Sequence, residues 1–253
     1  MHLHTHPLAP SGAESVAHLA AAAAPGFTIH TADTRGRRRD ACRLIRQRYS
    51  WRGYRHVALP AEQLTRRYTL TASSQQQVLG TITVGLDGPE GLNCEALFGA
   101  EVGALRSAGL RVCEFTRLAV DAGALSRQVL AALFHAAYLV ACHVGGCDRL
   151  LIEVHPRHVR LYQRMFGARE VGTQRHHPGV DAPAVLLMLD LADVARQLAC
   201  HADTPLSAGA AHPFYARAFS AQEELQQIAR LVPAAGATQR DRSSSRTKRT
   251  GMA

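Results

Sequence analysis

Arg111-Val112-Cys113-Glu114-Phe115-Thr116-Arg117-Leu118-Ala119-Val120-Asp121 reads as a strand buried on both faces, yet two charged side chains sit in its middle. Strands of that kind are near-continuous Val, Ile, Leu and Phe. An ionised group inside one is costly unless it is paired or put to use. Glu114 and Arg117 are therefore the first candidates for function. Glu114 is either a general base, which an apolar setting makes readier to take a proton, or the partner of Arg117 in a structural ion pair. In a regular strand the two point to opposite faces, and a bulge would let them meet.

Working outward, Leu125 to His143 is apolar nearly all round and is expected to be a central helix packed on the sheet. Arg149 to His155 is a second buried strand with an acidic intruder, Glu153, and Pro156 opens a helix that Gly167 stops. Strand, helix, strand in this order implies a parallel pair. Upstream, Phe27–Thr31 is a short strand, and a helix from Asp33 or Thr34 runs to about Tyr49. Tyr68–Ser73 and Val78–Leu86 make a hairpin, and Glu95–Ser107 is helical. Downstream, Arg169–Gln174 and Pro183–Leu191 are strands around a loop at His176-His177-Pro178-Gly179-Val180-Asp181. Helices to Cys200 and over Ser220–Leu231 follow.

Composition narrows the function classes. With 253 residues and 47% hydrophobic content the chain can bury a large core. The longest apolar stretch falls short of the ~20 residues that a membrane span needs, and no secretory signal is evident, so a cytoplasmic protein is expected. Six scattered cysteines form no CxxC pair, which suits reduced thiols. His155 with His158, or His176 with His177, lacks a third ligand at a zinc spacing, so no metal is expected. Lys248 is the only lysine. That excludes a GxxxxGK[ST] phosphate loop and a lysine Schiff base in the folded core.

Arginine does the cationic work. Arg38, Arg39 and Arg43 belong to a dense row on the first helix, and Arg157, Arg160 and Arg164 share one face of the helix after Pro156. Each row is either a solvated face or a docking surface for an acidic partner. Trp51 and Tyr54 lie in a Gly-aromatic loop suited to a lid or pocket wall. A nucleic-acid module is the contrasting class, but no nucleic-acid motif is present.

Three stretches carry a resemblance: Cys113–Val120, Glu153-Val154-His155-Pro156-Arg157-His158-Val159-Arg160-Leu161-Tyr162, and Pro178–Leu187. Over about Phe27–Leu191 the chain resembles the long-chain N-acyl amino acid synthases, which are related to the acyl-homoserine-lactone synthases. The resemblance implies an α/β (α+β mixed sheet) architecture, the GNAT-like acyl-CoA N-acyltransferase fold with a C-terminal helical extension. The organisation expected is a disordered leader over 1–25, the GNAT-like domain over 26–191, the extension over 192–232 and a disordered basic tail over 233–253.

By resemblance, the acyl group comes from the phosphopantetheine thioester of an acyl carrier protein, or from acyl-CoA, with no tightly bound cofactor. It goes to the amine of an amino acid; an autoinducer synthase of the acyl-homoserine-lactone type is the near alternative. Glu114, Arg117 and His155 are the catalytic candidates, with His155 otherwise simply starting the helix at Pro156. Phe115, Thr116, Glu153, Tyr162, Trp51 and Tyr54 are the substrate-binding candidates, and the two arginine rows would dock the carrier protein. The resemblance also implies the bulge in the focal strand. Two departures from general GNAT enzymes stand out. Asp121–Arg127 lacks the [RQ]xxGx[GA] pyrophosphate cradle, which favours a carrier-protein donor, and Tyr162 to Gly167 is one residue longer than the usual LYxxxGF.

Overall fold

The computed structural model describes residues 26–50, 59, 66–75, 77–123, 126–202 and 219–231. The expected leader, the basic tail, Trp51 and Tyr54 all lie outside the described residues. In chain order come β1 (Thr28–Thr31), α1 (Arg35–Ser50), β2 (Arg67–Ser74), β3 (Gln77–Leu86), α2 (Glu95–Ser107), β4 (Val112–Val120), α3 (Ser126–His143) and β5 (Arg149–Val154). A single 3-10 turn (Pro156–His158) leads into α4 (Val159–Phe166), then β6 (Arg169–Glu170), β7 (Arg175–His177), β8 (Ala182–Asp190), α5 (Leu191–Ala202) and α6 (Ala221–Leu231).

The strands form one mixed sheet in the order β1-β2-β3-β4-β5-β8-β6, with β7 paired to β8. The β4–β5 pair is parallel and its neighbours are antiparallel. Alternation along the strands divides the core into two layers. Val112 and Leu151 pack under α2, whereas Cys113, Phe115, Ile152 and Val154 pack under α3. By the same period Glu114 and Glu153 share the α2 face. The near-complete apolarity of α3 is also explained, because α6 covers the side turned away from the sheet and buries Leu231 there.

Two features of β4 make the site. Its parallel pairing with β5 runs only from Val112↔Arg149 to Glu114↔Leu151, although both strands continue. Past Glu114 they diverge and leave a gap in the sheet. In addition, Thr81 pairs with Ala119 while Thr83 pairs with Thr116, so β4 carries one extra residue. That is the bulge implied by the resemblance, and it inverts the alternation beyond it. Phe115 packs under α3, but Ala119, four residues on, packs against Ala41, Leu44 and Ile45 of α1.

Two expectations are corrected. The strand expected over Arg169–Gln174 stops at Glu170, because the chain must pass α2 at Gly172, where a Cβ would stand 2.8 Å from the Phe98 ring. Arg175 then stacks on that ring at 4.8 Å and pairs with Glu101 at 2.5 Å. His176 and His177, expected in a loop, consequently lie in β7.

Candidate active site

Between the diverging ends of β4 and β5 lies a cleft of about 560 Å³. Glu114, Phe115, Thr116 and Arg117 line one wall, and Glu153, Val154 and His155 the other. Arg48 and Tyr49 at the end of α1 and Tyr162 on α4 complete it. Arg48 is tied to Asp121 just beyond β4, and the Tyr49 hydroxyl donates to the Leu118 carbonyl at 3.4 Å. The helix is thereby fixed to the strand.

Glu114 is 1% exposed, and its neutralising partner is Arg67 rather than Arg117. Register supplies the reason. Arg67 pairs with Gly85 and Gly85 with Glu114, so the two charges flank a residue without a side chain. Arg67 donates through Nη1 to Glu114 Oε1 and through Nη2 to the Gly91 carbonyl at 2.8 Å. The same Oε1 accepts from the Asn93 amide N–H at 2.9 Å and from Asn93 Nδ2 at 2.6 Å, while Oε2 accepts from the Cys94 N–H at 3.1 Å. Glu114 thus caps the positive N-terminus of α2, whose N-cap residue Cys94 makes no side-chain cap of its own. Burial, followed by the charges of Glu114 and Glu153, pushes the Cys94 thiol up.

Gly85 is the residue that permits this pair: a Cβ there would collide with Arg67 and stand 2.9 Å from Glu114 Cγ. Gly85→Ala is expected to cost about 1–3 kcal/mol by overpacking. Urea unfolding measures the cost, and a change below about 0.5 kcal/mol, within the range of neutral surface substitutions, would refute it.

Arg117 is the bulged residue, with a left-handed φ of +51°. For a non-glycine residue that conformation costs roughly 1–3 kcal/mol and persists where the surroundings enforce it, often at functional sites. The Thr81 hydroxyl donates to the Arg117 carbonyl at 3.0 Å, and Arg117 Nη1 lies 3.4 Å from Thr116 Oγ1. Burial first, and the neighbouring Arg67 charge second, hold the guanidinium below its ordinary pKa; Glu114 opposes them.

The β5 wall differs from the expectation at His155. The strand ends at Val154, and His155 caps the 3-10 turn, its Nδ1 accepting the Arg157 N–H at 3.2 Å. Proline following it removes the N–H that would extend the ladder, so His155 takes the helix-starting role while still bordering the cleft. Burial and Arg157 hold its pKa below the usual histidine value. Glu153 does face the cleft, and burial, with the Glu114 charge second, raises its pKa to about 7. Among the described residues its ion-pairing neighbour is His177, with Nε2 at 3.8 Å from Oε1.

Phe115 meets Phe134 of α3 edge-on at 5.9 Å, and Phe134 stacks on Phe166 at 4.4 Å with Tyr162 nearby at 6.3 Å. Beside this aromatic group lies a second, apolar cavity of about 30 Å³, which Phe115 and Phe134 also line. Leu191, Val194 and Leu198 of α5 form another of its walls. The arginine rows stand on opposite faces of the sheet: α1 packs on Ala119, α4 on the α3 side through Val159 and Phe166. Arg39, Arg43, Arg157, Arg160 and Arg164 are exposed and Arg38 is half-buried. Among the described residues no group of three or more His, Cys, Asp and Glu converges to hold a metal, and no helix is long and apolar enough to cross a membrane.

Arg67, Asn93, Cys94 and His177 were not evident as site residues in the sequence. Residues 40–190, which contain the bulged strand, both cleft walls and this Glu114 cage, match the family profile of the N-acyl amino acid synthase FeeM. The chain belongs to the FeeM family. FeeM itself, an N-acyl amino acid synthase from uncultured soil microbes, superposes with a TM-score of 0.59 at 24% identity, covering 66% of this chain and 91% of FeeM. An acyl-CoA N-acyltransferase from Pseudomonas aeruginosa (14% identity, 64% and 97% covered) and the AHL synthase LasI (16%, 65% and 89%) each give a TM-score of 0.47. The comparison with curated proteins gives no match. As a FeeM-family member, the protein is an N-acyltransferase. Helices α5 and α6 both lie beyond the matched residues.

Proposed function

We propose that the protein moves a long acyl chain from the phosphopantetheine thioester of an acyl carrier protein to the amine of an amino acid. One observation carries this reading: the cleft is lined both by the cations Arg117 and Arg48 and by the aromatic rings Phe115 and Phe134, which also line a second, apolar cavity. An N-acyl amino acid combines the same two characters, a carboxylate and an apolar chain. Arg117 binds the acceptor carboxylate, for which a planar guanidinium is suited. The acyl chain runs past Phe115 toward Phe134. Backbone N–H groups at the bulge, where β5 no longer pairs, face the thioester oxygen as it gains charge.

Glu114 holds Arg67 and the start of α2 in this scheme, because both of its oxygens already accept hydrogen bonds. Two exposed arginine rows would meet an acidic carrier: Arg157, Arg160 and Arg164, of which Arg157 lines the cleft, and Arg39 and Arg43 on α1, the helix whose end carries Arg48 and Tyr49 into the cleft. The loop sequence after β4 supports a carrier over coenzyme A, since pantetheine alone brings no diphosphate. The test is incubation of purified protein with long-chain acyl carrier protein or acyl-CoA and pooled amino acids, with products weighed by mass spectrometry. Acyl amino acids formed best from the carrier-bound donor are expected. No acyl amino acid from any donor would overturn the reading.

A further inference from the structure

The acyl-transfer reading leaves the acceptor's ammonium proton without a destination, because Glu114 is fully engaged. We propose that Glu153 takes this proton as the catalytic base and that the Nε2–H of His177 positions its carboxylate; the proposal rests on the reading above.

Glu153 follows Leu151 by two residues on β5, so it shares the face of Glu114 but lies past the last β4–β5 pair. Its side chain therefore projects into the gap where the strands part and keeps 21% of its surface exposed. Among the described residues no cap or side-chain hydrogen bond occupies it there. His177 reaches it from β7, and the ring is fixed from its far side. The Gly179 N–H donates to His177 Nδ1 at 3.0 Å, and Gly179 sits so close that a Cβ would meet Cε1 at 3.0 Å. Because Nδ1 accepts, the proton of the neutral ring is on Nε2, the nitrogen 3.8 Å from Glu153. A backbone contact behind the imidazole thus sets the tautomer in front, as in other sites where a histidine orients its neighbour.

The charged and titratable groups that line the cleft with Glu153 are Glu114 and Arg117 from β4, Arg48 from α1, Cys94 at the start of α2, His177 from β7, and His155, Arg157 and His158 beyond its own strand. Burial and the Glu114 charge raise its pKa to about 7, where a base is both available and strong enough. In the step, the Glu153 carboxylate removes one proton from the ammonium, and the amine lone pair attacks the thioester carbonyl carbon. A C–N bond forms, and the C–S bond breaks as the tetrahedral intermediate collapses. The thiolate leaves with the proton held by Glu153. The second amine proton passes to the regenerated carboxylate and then to water. The net products are amide, thiol and one proton.

Glu153→Gln, with a native circular dichroism spectrum, is to be assayed from pH 6 to 10 at saturating acyl donor. At pH 7 kcat is expected to fall by about 10²–10⁴-fold, the usual contribution of a general base. The residual rate should climb roughly tenfold per pH unit as the free amine replaces the ammonium, whereas the wild-type rate levels off above about 7. His177→Ala should move the acid limb upward, since the N–H that favours the anion is gone, and His177→Gln, which keeps a donor, should move it back. A wild-type pH profile in Glu153→Gln with wild-type kcat would overturn the proposal while leaving acyl transfer intact. Independently of turnover, the infrared carboxyl difference between wild type and Glu153→Gln should show one group titrating near pH 7. Its absence would also overturn the assignment.

Discussion

Arg67→Ala is expected to lower the unfolding free energy by about 3–5 kcal/mol, the cost of stranding one member of a buried ion pair. For a chain of this size that is a fall in Tm of roughly 10 °C. The reason lies in Glu114. With its side chain 2% exposed, it can neither reach water nor turn away, and its remaining donors are neutral groups on Asn93 and Cys94. Glu114→Gln is expected to cost less than Arg67→Ala, because the charge it strands, Arg67, is the more exposed member of the pair, 11% against 2%, and keeps the Gly91 carbonyl. Both variants should lose acyl transfer, since the pair anchors α2 to the strand that carries Arg117. Urea unfolding of the three proteins decides: a loss under 1 kcal/mol in Arg67→Ala would mean that water or a shifted side chain neutralises Glu114.

Much of this molecule is legible in one dimension because its local signals agree with the fold. The apolar run of α3, the Gly167 stop of α4 with its φ of +73° and the crossover from β4 to β5 need only periodicity and turn chemistry. The buried charge at Glu114 was likewise visible as a conflict. Its partner was not, because Arg67 meets it only through a register in which Gly85 lies between them. A glycine inside an otherwise β-branched strand is the available signal, and it marks a close approach without naming the visitor. His177 was hidden for a similar reason: β7 is three residues long and exists because Gly172 must slip past Phe98. His155 was misplaced by two competing patterns, strand alternation before it and proline after it, of which the proline won. The all-round apolarity of α3 pointed to burial, but only the fold shows that part of its cover is α6.

The contact between α3 and the C-terminal extension should make the protein acid-sensitive through His135. Its Nδ1 accepts the Phe219 N–H at 2.9 Å and its ring stacks on Phe219 at 4.9 Å. The other nitrogen, Nε2, is buried and has no hydrogen-bond partner among the described residues; Glu224 stands 4.0 Å away. Burial lowers the pKa to about 4 from the usual 6.5, with the charge of Glu223 opposing it. Between those values the unfolded chain binds a proton that the folded chain refuses. Folding stability from this group is therefore complete above pH 6.5 and is lost as the pH falls toward 4, by about 3 kcal/mol in all. Protonation would also cost the Phe219 hydrogen bond, since an imidazolium has no acceptor nitrogen. Other carboxylates titrate in the same range, so the measurement is a comparison. His135→Leu removes the acceptor at every pH, and its deficit relative to wild type should shrink by about 3 kcal/mol between pH 7.5 and pH 4. Parallel stability curves for the two proteins would show that His135 takes up its proton equally well folded and unfolded, and that α6 docks without regard to its charge.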